Sequence, residues 1–232
     1  MNGKRVLVGN RKLFISMGLE LSWLEETIRR LEQEGKTVLI VSVDERPTAL
    51  ICVEDVLKEH AAEAVGQLRS MYLEVVMLTG DNERVARAVA KRLGIEHVVA
   101  EVLPSEKLDI VKRLQGEGKV VAMVGDGVND APALAQADLG IAIGSGTDVA
   151  LEAGGIVLMK DDLRNVAAAI KLSKSTMRKI KQNLFWAFAY NTTLIPVAAM
   201  GYLNPILAGI AMALSSVSVV TNSLTLKRLR LR

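Results

Sequence analysis

The chain has 232 residues, half of them apolar, with a formal net charge of +3. Such a balance excludes a strongly basic nucleic-acid field, and an aromatic content of 3% leaves little to stack on bases, so no nucleic-acid partner is expected. A single cysteine, Cys52, allows no internal disulfide and suits a reducing compartment.

In chain order, Met1–Lys4 leads directly into a β-like run, Arg5–Val8, so no secretory leader is expected. Gly9-Asn10 closes that run as a turn pair. Apolar positions Leu21, Leu24, Ile28 and Leu31 predict a helix over Leu19–Glu34, with Gly35 as its stop. Thr37–Val43 and Thr48–Val53 predict a hairpin about Asp44-Glu45-Arg46-Pro47, with Cys52 in its core. Beyond it, helices over Glu59–Ser70, Glu83–Leu93 and Ser105–Gln115, and one starting near Ala131, alternate with strands. Those strands are Leu73–Leu78, His97–Ala100, Val120–Val124 and Leu139–Ile143.

This alternation predicts an α/β fold with a parallel sheet covered on both faces. Ligands of such sheets sit beyond the carboxyl ends of the strands, where Thr79, Asp81, Asp126 and Asp130 all fall. Residues 119–131 read K-V-V-A-M-V-G-D-G-V-N-D-A: a buried-strand pattern that delivers two carboxylates to a turn. Oxygen ligands of this kind suit Mg²⁺ and a phosphoryl group. Asp130 is read either as a Mg²⁺ ligand or as the cap of the helix at Ala131. Gly144-Ser145-Gly146-Thr147 reads as a strand-to-helix turn or a phosphate loop.

Leu163–Gln182 reads as one long helix, increasingly basic through Lys171, Lys174, Arg178, Lys179 and Lys181. Leu184–Leu226 then contains no Asp, Glu, Lys or Arg, and Asn204-Pro205 divides it. Twenty helical residues span about 30 Å, the thickness of a bilayer's hydrocarbon core. The pattern predicts two transmembrane helices, about 184–203 and 205–226, against the competing reading of a buried helical hairpin. Basic clusters at the two outer ends, the second being Lys227, Arg228, Arg230 and Arg232, place both termini in the cytoplasm. The expectation is an integral protein of the plasma or inner membrane whose polar domain is cytoplasmic.

A phosphoryl site also needs an acceptor and a cation. Thr79 supplies a hydroxyl at a strand end, and Lys107 in P-S-E-K-L supplies a charge at a helix start. With the G-D-G-x-x-D of residues 125–130, this order resembles the later part of a haloacid-dehalogenase-type site. Such a site attacks with an aspartate at the end of an earlier strand, since a carboxylate can carry an acyl-phosphate. Only Asp44 and Asp55 precede Thr79. Asp44 reads as a hairpin turn and Asp55 as a helix cap, so no nucleophile is expected in this chain.

M-L-T-G-D-N at 77–82, P-S-E-K at 104–107 and V-G-D-G-V-N-D-A-P-A-L at 124–134 resemble the phosphorylation domain of P-type ATPases. The paired uncharged stretches resemble the heavy-metal branch of that family. The resemblance implies a haloacid-dehalogenase-like fold with ATP and Mg²⁺ as cofactors. It implies catalytic roles for Thr79, Lys107, Asp126 and Asp130, with Asp126 and Asp130 on Mg²⁺. Gly80, Asp81 and Asn129 are expected at the phosphate or nucleotide. G-K-R-V-L-V-G-N at 3–10 resembles the end of a nucleotide-binding domain, which would set Gly9 and Asn10 against adenosine; a plain turn competes.

Y-N at 190–191 and M-A-L-S-S at 212–216 resemble the copper(I) exporters. The likeness implies that Tyr190, Asn191, Met212 and Ser216 line a Cu⁺ path, and a thioether suits that soft ion. Ordinary helix packing of small residues competes with this reading. The domain order expected is residues 1–36 from the nucleotide-binding domain, 37–165 the phosphorylation domain, 166–183 a basic connecting helix and 184–232 the two spans. Missing are the D-K-T-G-T loop, the His-Pro motif, the T-G-E loop and the Cys-Pro-Cys span, so the resemblance covers about the last third of a typical member. An incomplete or split gene product, partnered by its missing N-terminal part, is the expectation. A membrane-anchored, non-catalytic binding protein and a Zn²⁺ or Cd²⁺ transporter are the alternatives.

Overall fold

The structure, a computed structural model, describes residues 5–125, 129–144, 155–201 and 205–228, without the side chains of 205–208, 211 and 228. The chain divides into two units, Met1–Asn165 and Val166–Arg232.

The first unit opens with β1 (Val6–Gly9), α1 (Arg11–Ser16), α2 (Glu25–Gln33), β2 (Thr37–Val43) and β3 (Arg46–Val53). The strands form an antiparallel sheet in the order β1-β2-β3. Along β2 every second residue, Val38, Ile40 and Ser42, is buried, as a pleated strand with one covered face requires. Phe14, Leu21, Leu24 and Ile28 close that face into a core with Val38 and Ile40. The helix expected from Leu19 begins only at Glu25, because Leu21 and Leu24 reach the core from turns. Two acidic residues, Glu25 and Glu26, then sit at the positive end of its dipole. A domain boundary was expected after residue 36, yet β1 hydrogen-bonds β2 across that position.

Asp44 and Glu45, at φ 47° and 63°, make a two-residue turn with both centres left-handed, the geometry that matches strand twist. The Asp44 Oδ1 accepts from the Arg5 amide at 2.9 Å, and the Asp44 amide donates to the Arg5 carbonyl at 2.8 Å. Asp44 is thus a turn residue tied to the sheet. Cys52, expected in the core, is exposed, because β3 is an edge strand.

The unit continues with α3 (Ala61–Ser70), β4 (Val76–Leu78), α4 (Glu83–Leu93), β5 (His97–Val99), α5 (Pro104–Gly116) and β6 (Ala122–Gly125). Then come α6 (Ala131–Gln136), β7 (Leu139–Ile143) and β8 (Ile156–Leu158). Asp55 caps no helix: α3 opens after His60, and Asp55 lies in the irregular segment before it. Strand pairing is parallel, as expected, but divided between a β4-β5 pair and a β6-β7-β8 sheet. Both β4 and β6 therefore end a sheet. Val111 of α5, Met123 of β6 and Ala133 and Leu134 of α6 share a core against which Leu78 of β4 packs.

The second unit is entered through α7 (Arg164–Ala199), one continuous helix of 36 residues, about 54 Å long. The expected connecting helix and first uncharged stretch are one element. α8 (Pro205–Leu224) follows. Asn222 joins the two: its Oδ1 accepts from Lys179 Nζ at 2.8 Å, and its Nδ2 donates to Asn183 Oδ1 at 2.8 Å. Among the described residues no helix is long and apolar enough to cross a membrane; residues 202–208 and the side chain of 211 fall outside that description.

Candidate functional site

Thr79 directly follows β4, and its amide donates to the Val99 carbonyl at 3.1 Å, extending the parallel ladder with β5. The hydroxyl is held by the loop it begins. Thr79 Oγ1 donates to Asp81 Oδ2 at 2.7 Å and accepts from the Asp81 amide at 3.1 Å. Gly80 lies between them without a positive φ. Asn82 then caps α4, its Oδ1 accepting from the Arg84 and Val85 amides at 3.0 and 3.1 Å.

Lys107 lies in the first turns of α5, four residues before the core residue Val111 and so on the same helix face. Its Nζ donates to Asp130 Oδ1 at 2.6 Å, and the two side chains are only 17% and 12% exposed. Charges this far from water need a partner, and each supplies the other's. Asp130 occupies the cap position of α6 but makes no side-chain cap bond, so the lysine has taken the carboxylate that a cap would use. Its other oxygen lies against Gly125. A Cβ at that glycine would fall 2.5 Å from Asp130 Oδ2 and 2.9 Å from Asp130 Cβ. Gly125 thus leaves room for the Asp130 side chain, a packing role that sequence reasoning passed over; the signal was the glycine before Asp126 in G-D-G.

Leu78 of β4 packs on the core shared by Val111 of α5, Met123 of β6 and Leu134 of α6, and the Thr79 carbonyl accepts from the Val102 amide at 3.0 Å, just before α5. The Lys107–Asp130 pair joins the starts of α5 and α6. Asn129 is exposed beside Asp130. Asp126 lies outside the described residues, as do Ser145-Gly146-Thr147. Among the described residues no three His, Cys, Asp or Glu side chains gather as a metal site. Asp130 offers the hard carboxylate oxygens that Mg²⁺ takes, but Lys107 binds its Oδ1 and its Oδ2 lies against Gly125.

Gly9 and Asn10 have local employment. A Cβ at Gly9 would meet Leu13 Cδ2 at 2.3 Å, and Asn10 Oδ1 caps α1 by accepting from the Leu13 amide at 3.0 Å. The cap and the close packing account for both residues without a ligand. One tie was not anticipated: the buried Glu32 of α2 accepts from Arg84 Nη1 and, at 3.3 Å, from Asn82 Nδ2. It anchors the antiparallel part of the unit to the loop that carries Thr79 and Asp81.

Tyr190 and Asn191 lie on α7, Met212 and Ser216 on α8. Asn191 Nδ2 donates back to the Ala187 carbonyl at 2.8 Å, and Met212 is 71% exposed. Among the described residues no hydrogen bond joins the four.

A family model described as haloacid dehalogenase-like hydrolase matches residues 1–138. A copper-exporting P-type ATPase of Staphylococcus aureus (strain bovine RF122 / ET3-1) is 54% identical over 227 residues, 97% of this chain and 28% of that protein. A probable copper-exporting P-type ATPase V of Mycobacterium tuberculosis (strain ATCC 25618 / H37Rv) is 56% identical over 98% of this chain and 30% of its own length. Among solved structures, a zinc-transporting PIB-type ATPase in the E2.Pi state superposes with a TM-score of 0.77 at 35% identity, covering 97% of this chain and 36% of the other. The chain spans under a third of the length of these curated relatives.

Proposed function

The chain belongs to the haloacid dehalogenase-like hydrolase family, and from that premise we propose that it is the C-terminal part of a copper(I)-exporting P-type ATPase. The observation that supports the reading is the largely buried Lys107–Asp130 pair, which joins the starts of α5 and α6.

In the proposed reaction a carboxylate oxygen, on an aspartate supplied by a segment outside this chain, bonds to the γ-phosphorus of ATP. The bond to the bridging oxygen breaks and ADP leaves; water later cleaves the acyl-phosphate. Thr79 donates a hydrogen bond to a phosphoryl oxygen, releasing its bond to Asp81. Lys107 turns its charge from Asp130 toward the phosphate, which frees Asp130 to hold Mg²⁺ together with Asp126. Held there, Mg²⁺ would supply positive charge to the phosphoryl oxygens. Gly80, Asp81 and Asn129 shape the phosphate pocket; an adenosine role for Gly9 and Asn10 rests on the sequence resemblance, since Leu13 packs against the one and is capped by the other. The edges of β4 and β6 are where the strand bearing the missing aspartate would pair.

Residues 184–203 and 205–226 are proposed to span the membrane, supported by their lack of charge and by the basic flanks. Tyr190, Asn191, Met212 and Ser216 are assigned to the ion path. Met212 and Ser216, four apart on α8, share a face. Sequence relatives are named for copper and the structural neighbour for zinc. Copper is favoured by the higher identity, and by the absence of any carboxylate from Leu184–Leu226 to suit Zn²⁺.

Alone in detergent, the chain is expected to take up no label from γ-labelled ATP. Reconstituted with the remaining part of a copper-exporting relative, it should form a hydroxylamine-sensitive phosphoenzyme stimulated by Cu⁺. In that assembly Lys107→Ala should lower phosphoenzyme turnover by about 10²–10³-fold. Stimulation by Zn²⁺ but not Cu⁺ would overturn the ion assignment, and labelling of Asp44 in the isolated chain would overturn the site.

A further inference from the structure

On α7, Lys174, Arg178 and Lys181 follow one another at intervals of four and three residues, with Phe185 four further on. That spacing sets all of them on one helix face. Together with Gln182 and Trp186 they line a surface groove of about 580 Å³, and all six are exposed. The three cations make no ion pair or hydrogen bond among the described residues. Phe185 and Trp186 meet edge to face, with centroids 5.5 Å apart and planes at 72°. The groove therefore has a cationic end and an aromatic end, the aromatic end opening on the uncharged residues from Leu184 onward.

The cationic stretch from Lys174 to Lys181 covers about 10 Å of helix axis. That is comparable with the distance over which a charged lipid surface acts at physiological ionic strength. Aromatic rings prefer the boundary between hydrocarbon and headgroups, and basic residues just outside it attract anionic lipid. A nucleic acid or acidic protein would meet the same charges, but neither explains an aromatic end contiguous with an apolar stretch.

We propose that this face of α7 is a binding site for anionic phospholipid headgroups, with Lys174, Arg178 and Lys181 holding the phosphate and Phe185 and Trp186 lying against the glycerol and upper acyl chains. The inference rests on the membrane-spanning reading of residues 184–226. It adds to the orienting effect of basic flanks a localised site with a lipid preference. Bound lipid would brace α7, the helix that follows directly on the phosphoryl-transfer unit.

The test uses the full chain carrying Trp23→Phe, which leaves Trp186 as the sole tryptophan. It is placed in nanodiscs of phosphatidylcholine containing brominated phosphatidylglycerol or, in matched discs, brominated phosphatidylcholine. Quenching of Trp186 should report anionic lipid enriched at least about fivefold over its bulk share. Enrichment should vanish in Lys174→Gln/Arg178→Gln/Lys181→Gln and persist in Lys174→Arg/Lys181→Arg. Equal quenching by the two lipids, or enrichment that survives the glutamine variant, overturns the site. So does an equal response of Trp186 to glycerol phosphate or a short oligonucleotide in detergent without lipid. A chain that will not resist carbonate extraction from neutral membranes overturns the spanning reading itself, and the headgroup site with it.

Discussion

The Lys107 ammonium and the Asp130 carboxylate lie 2.6 Å apart, both largely buried and 23 positions apart in sequence. Removing one member strands the other. Lys107→Met or Asp130→Leu alone is expected to lower unfolding stability by about 3–5 kcal/mol. The double substitution should recover most of that loss, since an apolar pair of similar volume needs no partner. Urea titrations of the four species would measure the coupling, and additive losses would refute it.

Gly125 makes a sharper case. Adding a methyl group there should displace Asp130 and cost about 1–3 kcal/mol as overpacking. Asp130→Ala should not rescue Gly125→Ala, because the two Cβ atoms would still fall 2.9 Å apart. Asp130→Gly should. Thermal melts of the single and double variants distinguish relief of a backbone-level clash from a purely electrostatic role.

Asp162 supplies a pH prediction. Hydrogen bonds from the Arg164 guanidinium, then from the Arg164 amide at 3.0 Å, hold its carboxyl below the ordinary 3.8, at about 2. A carboxyl acidified by folding stabilises the fold above its unfolded pKa and loses that contribution as pH falls. The stability gap between the native chain and Asp162→Asn should be constant at neutral pH, shrink below about pH 4 and close near pH 2. A gap that widened on acidification would contradict the assignment.

Asn222 bridges Lys179 on one helix and Asn183 beside it at 2.8 Å each, and Asn183 in turn donates to Ser223 at 2.9 Å. Asn222→Leu keeps the branched shape and removes the partner of Lys179 Nζ and of Asn183 Oδ1. A loss of about 1–2 kcal/mol in α7–α8 association is expected. Disulfide trapping between cysteines placed at 182 and 223 should slow accordingly.

The parts legible in the sequence were those governed by local rules. Period-two alternation located β2, and Gly35, at φ 86°, stopped α2 as expected. The hairpin reading of Asp44 stands on its left-handed turn. The strand-end and helix-start positions of Thr79, Lys107 and Asp130 follow from the alternation of strands and helices, and the three are found just after β4, in the first turns of α5 and at the start of α6. What stayed hidden depended on contacts distant in sequence. Leu21 and Leu24 keep helical spacing while sitting in turns, because burial selected them and not the helix. The link from β1 to β2 spans two helices, α1 and α2, and the helix stop at Gly35. Glu32 reads as one more surface carboxylate of α2 until Arg84, 52 positions later, is folded against it. Asp130 looked equally suited to capping or to metal, and its choice of Lys107 could be decided only in three dimensions.

The division of the parallel strands has a consequence for how this chain fares during synthesis. Among the described residues β4 and β6 each have a neighbouring strand on one side only, and Val120, just before β6, is 89% exposed. Bare margins of this kind recruit any extended chain nearby, including sibling copies. Their shortness, three and four residues, limits the hold of each encounter but not its frequency. Crowded ribosomes making this polypeptide by itself should therefore yield clumped product, and slower, cooler expression should favour dispersed molecules.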